Sequence, residues 1–344
     1  MSLLRREQPV RNQSPTMMHP FILSLSMAFA ALQPLPPDGA PALGFPADCI
    51  VGRSCLVQKL FDHDPGPGRR DYRCGLLTTN GHDGIDIRLR TMADMRTGFA
   101  VLAAAPGTVL RTRDGEPDVS VDVRAGLNGK DAGNAVVIDH GGGWQTQYSH
   151  LRQGSIAVHP GQRVSGGERI GLIGLSGNSE FPHLHFTVRH SGEAVDPFVG
   201  AAALPPCNSE ARTAGLWTAA AAHSLGYEPS AVITGGLASA VPPRAVADRD
   251  PPPALDGRQA PLILWVDAIG ARAGDYQAFS IAGPDGQIVH DQQSVVESGG
   301  LSWFAYSGKR APAAGWPAGR YTGRYVLKRE NAIVARIETT AIIK

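Results

Sequence analysis

The sequence predicts an all-β protein, with two β-domains in tandem along its 344 residues. Three observations point there. Glycine and proline, at 41 and 27 residues, make up about a fifth of the chain against an average near 12%, which favours short strands and turns over long helices. Between 81 and about 198, strand-like runs alternate with turn signals at short intervals. In residues 320–328, Tyr321, Tyr325 and Leu327 share one face and Arg320, Arg324 and Lys328 the other, the period of a half-buried antiparallel strand. The formal net charge of +1 argues against a broad nucleic-acid-binding surface. A content of 42% hydrophobic and 18% charged residues excludes both a disordered chain and a multi-span membrane protein.

Taken in order, Arg5, Arg6 and Arg11 precede the apolar run FILSLSMAFAAL (21–32), which contains the small-x-small site Ala28-Phe29-Ala30. This pattern predicts a secretory signal peptide over 1–31, with Met17 or Met18 as candidate starts. The run is shorter than the roughly 20 residues a membrane span needs, so no span is expected after cleavage. Pro34, Pro36, Pro37, Pro41 and Pro46 predict an extended segment over 32–48. Cys49, Cys55, Cys74 and Cys207 follow the cleavage site, and an even count in an exported chain implies two disulfides. Of the three pairings, Cys55–Cys74 with Cys49–Cys207 would tie the start of the first domain (49–208) to its end. Residues 49–80 read as polar and turn-rich. Strands are predicted at Ile85–Leu89, 108–113, 135–139, 144–149, 169–173 and 183–189, and the segment from His159 to Gly174 reads as a glycine-rich hairpin.

Composition shifts after Asp196-Pro197. Ala219 to Ala222 suggest a short helix within 211–225, and Pro251-Pro252-Pro253 mark a proline-rich linker, so 209–261 reads as a connecting segment. Pro284-Asp285-Gly286 predicts a turn between strands at 278–281 and 287–290. About six strands over 262–344 suggest a small β-sandwich of immunoglobulin-like type. Core packing is the expected use of its Trp303, Phe304 and Trp316.

Chemistry is concentrated among the first-domain strands. In His183-Leu184-His185-Phe186-Thr187-Val188, alternation puts His183, His185 and Thr187 on one face and three apolar side chains on the other. Alone, HxH equally describes two surface histidines. In Gly81-His82-Asp83-Gly84-Ile85-Asp86, a histidine and a carboxylate four positions apart can reach one cation if the glycines let the backbone bend. Alone, this is also a polar turn. Gln147-Tyr148-Ser149-His150-Leu151 ends a strand pattern on a histidine. Jointly, His82, Asp86 and His185 offer two imidazoles and a carboxylate, and a zinc ion so held keeps a fourth position open, as catalytic sites do. His150 and His183 remain as polar groups off the ion. HExxH, GxSxG, P-loop and dinucleotide patterns are absent. For Asp83, Asp139 and His140, orienting a ligand competes with ordinary turn and strand-end hydrogen bonding. His159 and His190 read as solvated loop or strand-end residues, and His63, His223 and His290 have no partner pattern.

GHDGID, YSHL and GNSEFPHLHFTVR, in that order, closely resemble the lysostaphin/LytM-type zinc endopeptidases, peptidase family M23. That family's hallmarks are HxxxD and HxH with a preceding histidine in a YxHL-like context. GQRVSGGERIGLIG (161–174) and Val195-Asp196-Pro197 resemble its flanking text, and the likeness covers about residues 75–200. The resemblance implies a small antiparallel β-domain of LytM type with an open groove. It implies one Zn2+ held by His82, Asp86 and His185, and catalytic roles for His150 and His183, one as base and one as donor. It further implies hydrolysis of peptidoglycan stem peptides or bridges by an exported enzyme, periplasmic or secreted. Phe181 stands where many members have glycine, which narrows the groove, and residues 114–133 read as an inserted loop. The C-terminal domain lies outside the resemblance and is expected to position the enzyme or bind a protein partner. A non-catalytic peptidoglycan-binding or hydrolase-activating relative is the second reading, and a secreted peptidase of glycine-rich proteins the third. All five site positions are intact, which favours the enzyme.

Overall fold

The computed structural model describes residues 39–123, 126–200, 207, 215–246, 249 and 254–344. The expected signal peptide lies outside them. The first sheet system contains β1 (Cys55–Lys59), β2 (Ile85–Leu89), β3 (Ala100–Leu102), β4 (Gly107–Arg113), β5 (Asn134–Gly141), β6 (Trp144–Leu151), β7 (Arg163–Val164), β8 (Arg169–Leu172), β9 (His183–His190) and β10 (Glu193–Val195). Its main sheet runs β1-β2-β9-β6-β5-β4-β7, with β10 on β9, and β3 pairs β8 separately. Every pairing is antiparallel. The six strands expected from the sequence are all present.

Two expectations change here. The segment read as polar and turn-rich holds β1, whose Cys55, Leu56 and Val57 are buried on the sheet edge. Residues 159–174 do not form a hairpin, because β7 pairs with β4 and β8 with β3. Val164 and Ile170 are each buried, so both strands are held by the core and not by one another. A short helix, α1 (Met92–Thr97), intervenes before β3. Thr91 caps it by accepting from the Asp94 backbone N–H at 3.1 Å, and Gly98 closes it in the left-handed region.

Central position explains the burial of the site strands. β2 is buried on both faces: Ile85, Ile87 and Leu89 enter the core while Asp86 and Arg88 share the opposite face. In β9, Leu184, Phe186 and Val188 are fully buried in the same core, which leaves His183 and His185 on the other face. Register then places Asp86 opposite His185 and Arg88 opposite His183.

Beyond α2 (Ala219–Leu225), which starts at the Thr218 cap, two more antiparallel sheets follow. One is β11 (Ala231–Ala238), β12 (Leu262–Ala271) and β15 (Gly300–Lys309). The other runs β14 (Ile288–Val295), β13 (Tyr276–Ala282), β16 (Gly319–Arg329) and β17 (Ala332–Ile343). β11 lies within the segment read as a connection and completes the first of these sheets. Leu264, Val266, Phe279, Ile281, Tyr321, Tyr325 and Trp316 form the core between the sheets. Ile233, Ile269 and Leu301 of the three-stranded sheet belong instead to the core of the first sheet system, so the sandwich is docked through apolar contact.

The disulfides are Cys49–Cys55 and Cys74–Cys207, another of the three pairings that the sequence left open. Cys49 and Cys55 bracket a tight turn in which the Ile50 N–H donates to Ser54 Oγ, which brings the two cysteines together locally. The start of the domain is still tied to its end, but by Cys74. This link spans 133 residues. Cys207→Ser is therefore expected to cost about 2–5 kcal/mol, read as a lowered melting temperature that reductant does not lower further by the same amount.

Candidate metal centre

The site is assembled where β2 and β9 pair, with the loop before β2 and the end of β6 on either side. Three donor atoms, one each from His82, Asp86 and His185, lie within 4.8 Å of one another. His82 Nδ1 donates to the Leu60 carbonyl at 2.7 Å, which fixes the ring and turns Nε2 to Asp86 Oδ1 at 3.1 Å. His185 Nδ1 lies 2.9 Å from the same oxygen, while its Nε2 is 3.1 Å from Asp83 Oδ1 and 2.9 Å from Thr187 Oγ1. Asp83 Oδ2 in turn accepts from Arg189 Nη2 at 2.9 Å. Lys59, on the bulged strand β1, puts Nζ 3.2 Å from Asp86 Oδ2.

Gly84 is what lets the HxxxD segment approach β9. A Cβ there would sit 2.4 Å from the Phe186 carbonyl oxygen and 3.0 Å from His185 Nε2. Gly81 provides the turn itself, at φ +71°. Gly84→Ala is thus expected to destabilise the fold by about 1–3 kcal/mol and to weaken metal binding by displacing His185. Thermal melts and a zinc titration of the purified variant check both.

His183 and His150 flank the donor set without joining it. His183 Nδ1 donates to the Phe181 carbonyl at 2.9 Å, with Ser179 Oγ at 3.0 Å, and its Nε2 is 3.6 Å from Asp86 Oδ1. His150 Nδ1 donates to the Ser176 carbonyl at 2.8 Å. The two rings are 4.6 Å apart. His150 holds φ +62°, a left-handed conformation that costs a side-chain-bearing residue about 1–2 kcal/mol. Its backbone N–H, bonded to the Ala132 carbonyl at 2.9 Å, and its ring bond to Ser176 pin that conformation.

The electrostatics follow from burial and from a single crowded carboxylate. Burial would raise the Asp86 pKa, but the charges of His82 and His183 and hydrogen bonds from His185 and His82 hold it well below the usual carboxylate range. The hydrogen bond to His185 does the same for Asp83. Burial would lower His185, yet its bonds to Asp83 and Asp86 outweigh this and push its pKa up to about 9. Burial brings His183 down to about 4 despite Asp86, and holds His150 well below its ordinary value with His183 and His185 close by. The donor set fits a zinc ion: two imidazole nitrogens and one ionised carboxylate converge, and the remaining nitrogen of each ligand ring is occupied by another partner.

All five residues singled out in the sequence come together here. Asp83, for which orienting a ligand competed with a turn role, is also at the site, bonded to His185 and Arg189. His140 and Asp139 are not: His140 bridges the Pro106 carbonyl and Thr146 Oγ1, and Asp139 accepts from the Gly141 N–H in a turn. His63, without a partner in the sequence pattern, pairs with Asp196 at 2.7 Å, and His190 stacks on Trp144. Lys59 and the carbonyls of Ser176 and Phe181 went unnoticed, since nothing in the local text marks them.

Residues 80–197 match the family model described as Peptidase family M23. Among curated relatives, the peptidoglycan DD-endopeptidase ShyA of Vibrio cholerae is 36% identical over 115 residues, 33% of this chain and 22% of ShyA. The DD-carboxypeptidase/endopeptidase Mpg of Neisseria meningitidis is 46% identical over 65 residues, 19% of this chain and 14% of Mpg. The chain therefore spans about a fifth or less of these relatives' length. A solved zinc-containing peptidase from Vibrio cholerae shows 27% identity with a TM-score of 0.32, over 48% of this chain and 41% of that one. Over residues 80–197 the chain resembles peptidase family M23.

Proposed function

We propose that the protein is an exported, zinc-dependent endopeptidase that hydrolyses peptide cross-links of bacterial peptidoglycan. The observation that carries this reading is the convergence of His82, Asp86 and His185 on one point, with His150 and His183 beside it. The family match supports a peptidase. The names of the matched relatives support peptidoglycan as the substrate class. Two disulfides support an oxidising compartment. Among the described residues, no helix is long and apolar enough to cross a membrane. In this reading residues 49–208 form the peptidase domain. The sandwich that follows positions it or binds a protein partner.

His82, Asp86 and His185 would hold the zinc, which when bound supplies Lewis acidity to a water and to the scissile carbonyl. The rest falls to the chain's own groups. His150 and His183 each commit Nδ1–H to a backbone carbonyl, so each keeps Nε2 as a lone-pair acceptor. Burial keeps both neutral at pH 7. A neutral imidazole beside the attacking water accepts its proton. The imidazolium so formed donates to the oxygen on which negative charge develops or to the departing amine. Phe181, itself buried, packs 5.0 Å from the His183 ring and contributes to the burial that keeps that ring neutral.

The test is digestion of purified sacculi by zinc-loaded protein, with a soluble glycine-rich protein in parallel and mass spectrometry of the released muropeptides. Cross-linked dimers are expected to fall to monomers, and a chelator to stop the reaction. Cleavage of the soluble protein alone would replace the substrate class. Absence of any cleavage by zinc-bound protein would leave a non-catalytic binding or hydrolase-activating role.

A further inference from the structure

We infer that Lys59 is a positioning residue of the metal centre: its ammonium occupies one oxygen of Asp86, so the carboxylate meets the ion through the other oxygen alone and a coordination position stays open for water. This rests on the zinc peptidase reading above. The strand that carries Lys59 is bent to deliver it. In β1, Val57 lies opposite Ile87, which is on the core face of β2, and a regular strand would send Lys59, two places on, into the same core. The register instead shifts between Val57 and Lys59, and Lys59 lies opposite Asp86. Directly opposed residues on paired strands share a face, so the bulge turns a lysine from the core to the metal face. Gln58, the residue the shift passes over, serves that face as well, since its Oε1 accepts from Arg88 Nη1 at 2.8 Å. One extra residue in β1 thus gives each polar side chain of β2, Asp86 and Arg88, a partner.

The two oxygens of Asp86 are divided between different partners. Oδ1 takes His82 Nε2 at 3.1 Å and His185 Nδ1 at 2.9 Å, with His183 Nε2 at 3.6 Å. Oδ2 pairs with Lys59 Nζ at 3.2 Å, and among the described residues nothing else is paired with it. The ammonium is held from a second side, where the Phe181 ring lies 5.8 Å away. Asp86 itself is buried, so bulk water competes little for Oδ2.

The sign of the lysine's effect follows from its charge. An acidic outer partner, such as Asp83 on His185, makes its ligand more basic and strengthens metal binding. A cation does the opposite, because it repels the ion and draws electron density from the carboxylate. With Lys59 in place, a zinc ion meets two nitrogens and one oxygen, which leaves the open position of a catalytic site. Without it, Oδ2 is free to join Oδ1 on the ion. That raises affinity and fills space the attacking water needs. Lys59 therefore weakens metal binding and favours reaction.

The experiment compares the full chain with Lys59→Met and Lys59→Arg. Competition against a fluorescent zinc indicator is expected to show Lys59→Met binding zinc about tenfold more tightly than the parent. Zinc-saturated Lys59→Met is expected to cut sacculi about 10–100-fold more slowly. Lys59→Arg keeps the charge and is expected to stay with the parent in both. A lysine needed only for the fold would move affinity and rate down together. In the unaltered protein, the infrared difference between zinc-loaded and metal-free forms, with 13Cγ-labelled aspartate, is expected to show the wide splitting of carboxylate stretches that ligation by one oxygen gives. That readout does not depend on how any variant folds. A narrow, two-oxygen splitting in the parent, a zinc affinity in Lys59→Met equal to or below the parent's, or undiminished cleavage by it would overturn the inference. A parent that cuts sacculi while Lys59→Met behaves identically removes the positioning role alone. The expected affinities and splitting in a protein that cuts no sacculi keep the role of Lys59 toward the ion and remove the peptidase reading.

Discussion

A His150→Ala variant is expected to bind one zinc ion as the parent does and to cleave peptidoglycan about 10²–10⁴-fold more slowly. The two halves of that expectation have separate physical grounds. His150 contributes no atom to the convergent donor group, and its Nδ1 is committed to the Ser176 carbonyl, so removing the ring takes nothing from the ion. What it takes away is a neutral Nε2 held 4.6 Å, ring to ring, from His183. Alanine has a Cβ, so the strain at φ +62° stays, and the loss of the buried ring together with its bond to the Ser176 carbonyl lowers stability by about 2–4 kcal/mol. A thermal melt that shows the variant folded at the assay temperature makes a large rate loss a report on proton transfer. Metal analysis and the rate of dimer conversion decide it. Undiminished turnover would remove His150 from the chemistry, and lost zinc would make it a ligand.

The site was legible because strand alternation is strict. Once residues 183–188 are a strand, His183 and His185 must share a face and Leu184, Phe186 and Val188 must fill a core, and the burial of all three apolar residues shows that this face is the interior. His82 and Asp86 were legible for a different reason. Two glycines around them permit a bend that few other residues allow, and at Gly84 the structure leaves no room for even a methyl group. In the sandwich, residues 320–328 could be assigned because the register of β16 puts charged and apolar residues on opposite faces.

What escaped was held by tertiary contact and not by local pattern. Lys59 sits 27 residues before Asp86 in a five-residue strand with no turn signal of its own, and only the β1–β2 register brings it to the carboxylate. The carbonyls of Ser176 and Phe181 orient two histidines through backbone atoms, which carry no residue signature. The disulfide partners stayed open because spacing does not fix connectivity. β11 was hidden in a segment whose prolines read as linker, and its partner β12 begins 24 residues after β11 ends.

Asp86→Asn and Asp83→Asn together test whether the carboxylate cluster is a metal site. Both changes keep shape and remove a charge. Among the described residues Asp83 bonds through its side chain to His185 Nε2 and Arg189, so its loss leaves that nitrogen to Thr187 Oγ1, loosens the ligand ring and is expected to weaken zinc binding 10–100-fold. Asp86 offers the oxygen on which His82 and His185 converge at 3.1 and 2.9 Å, so Asp86→Asn is expected to weaken zinc binding beyond that range and to abolish cleavage. Stability should suffer less than the roughly 3–5 kcal/mol that an orphaned buried charge costs. Lys59 reaches solvent, with 24% of its side chain exposed, and His185 can shed the proton that Asp86 helped it retain. Competition with a chromophoric chelator gives both affinities, and thermal melts give the stabilities. Equal, modest losses of affinity in the two variants would mean that Asp86 is a structural counter-ion for the histidines and that the ion, if one binds, is held elsewhere.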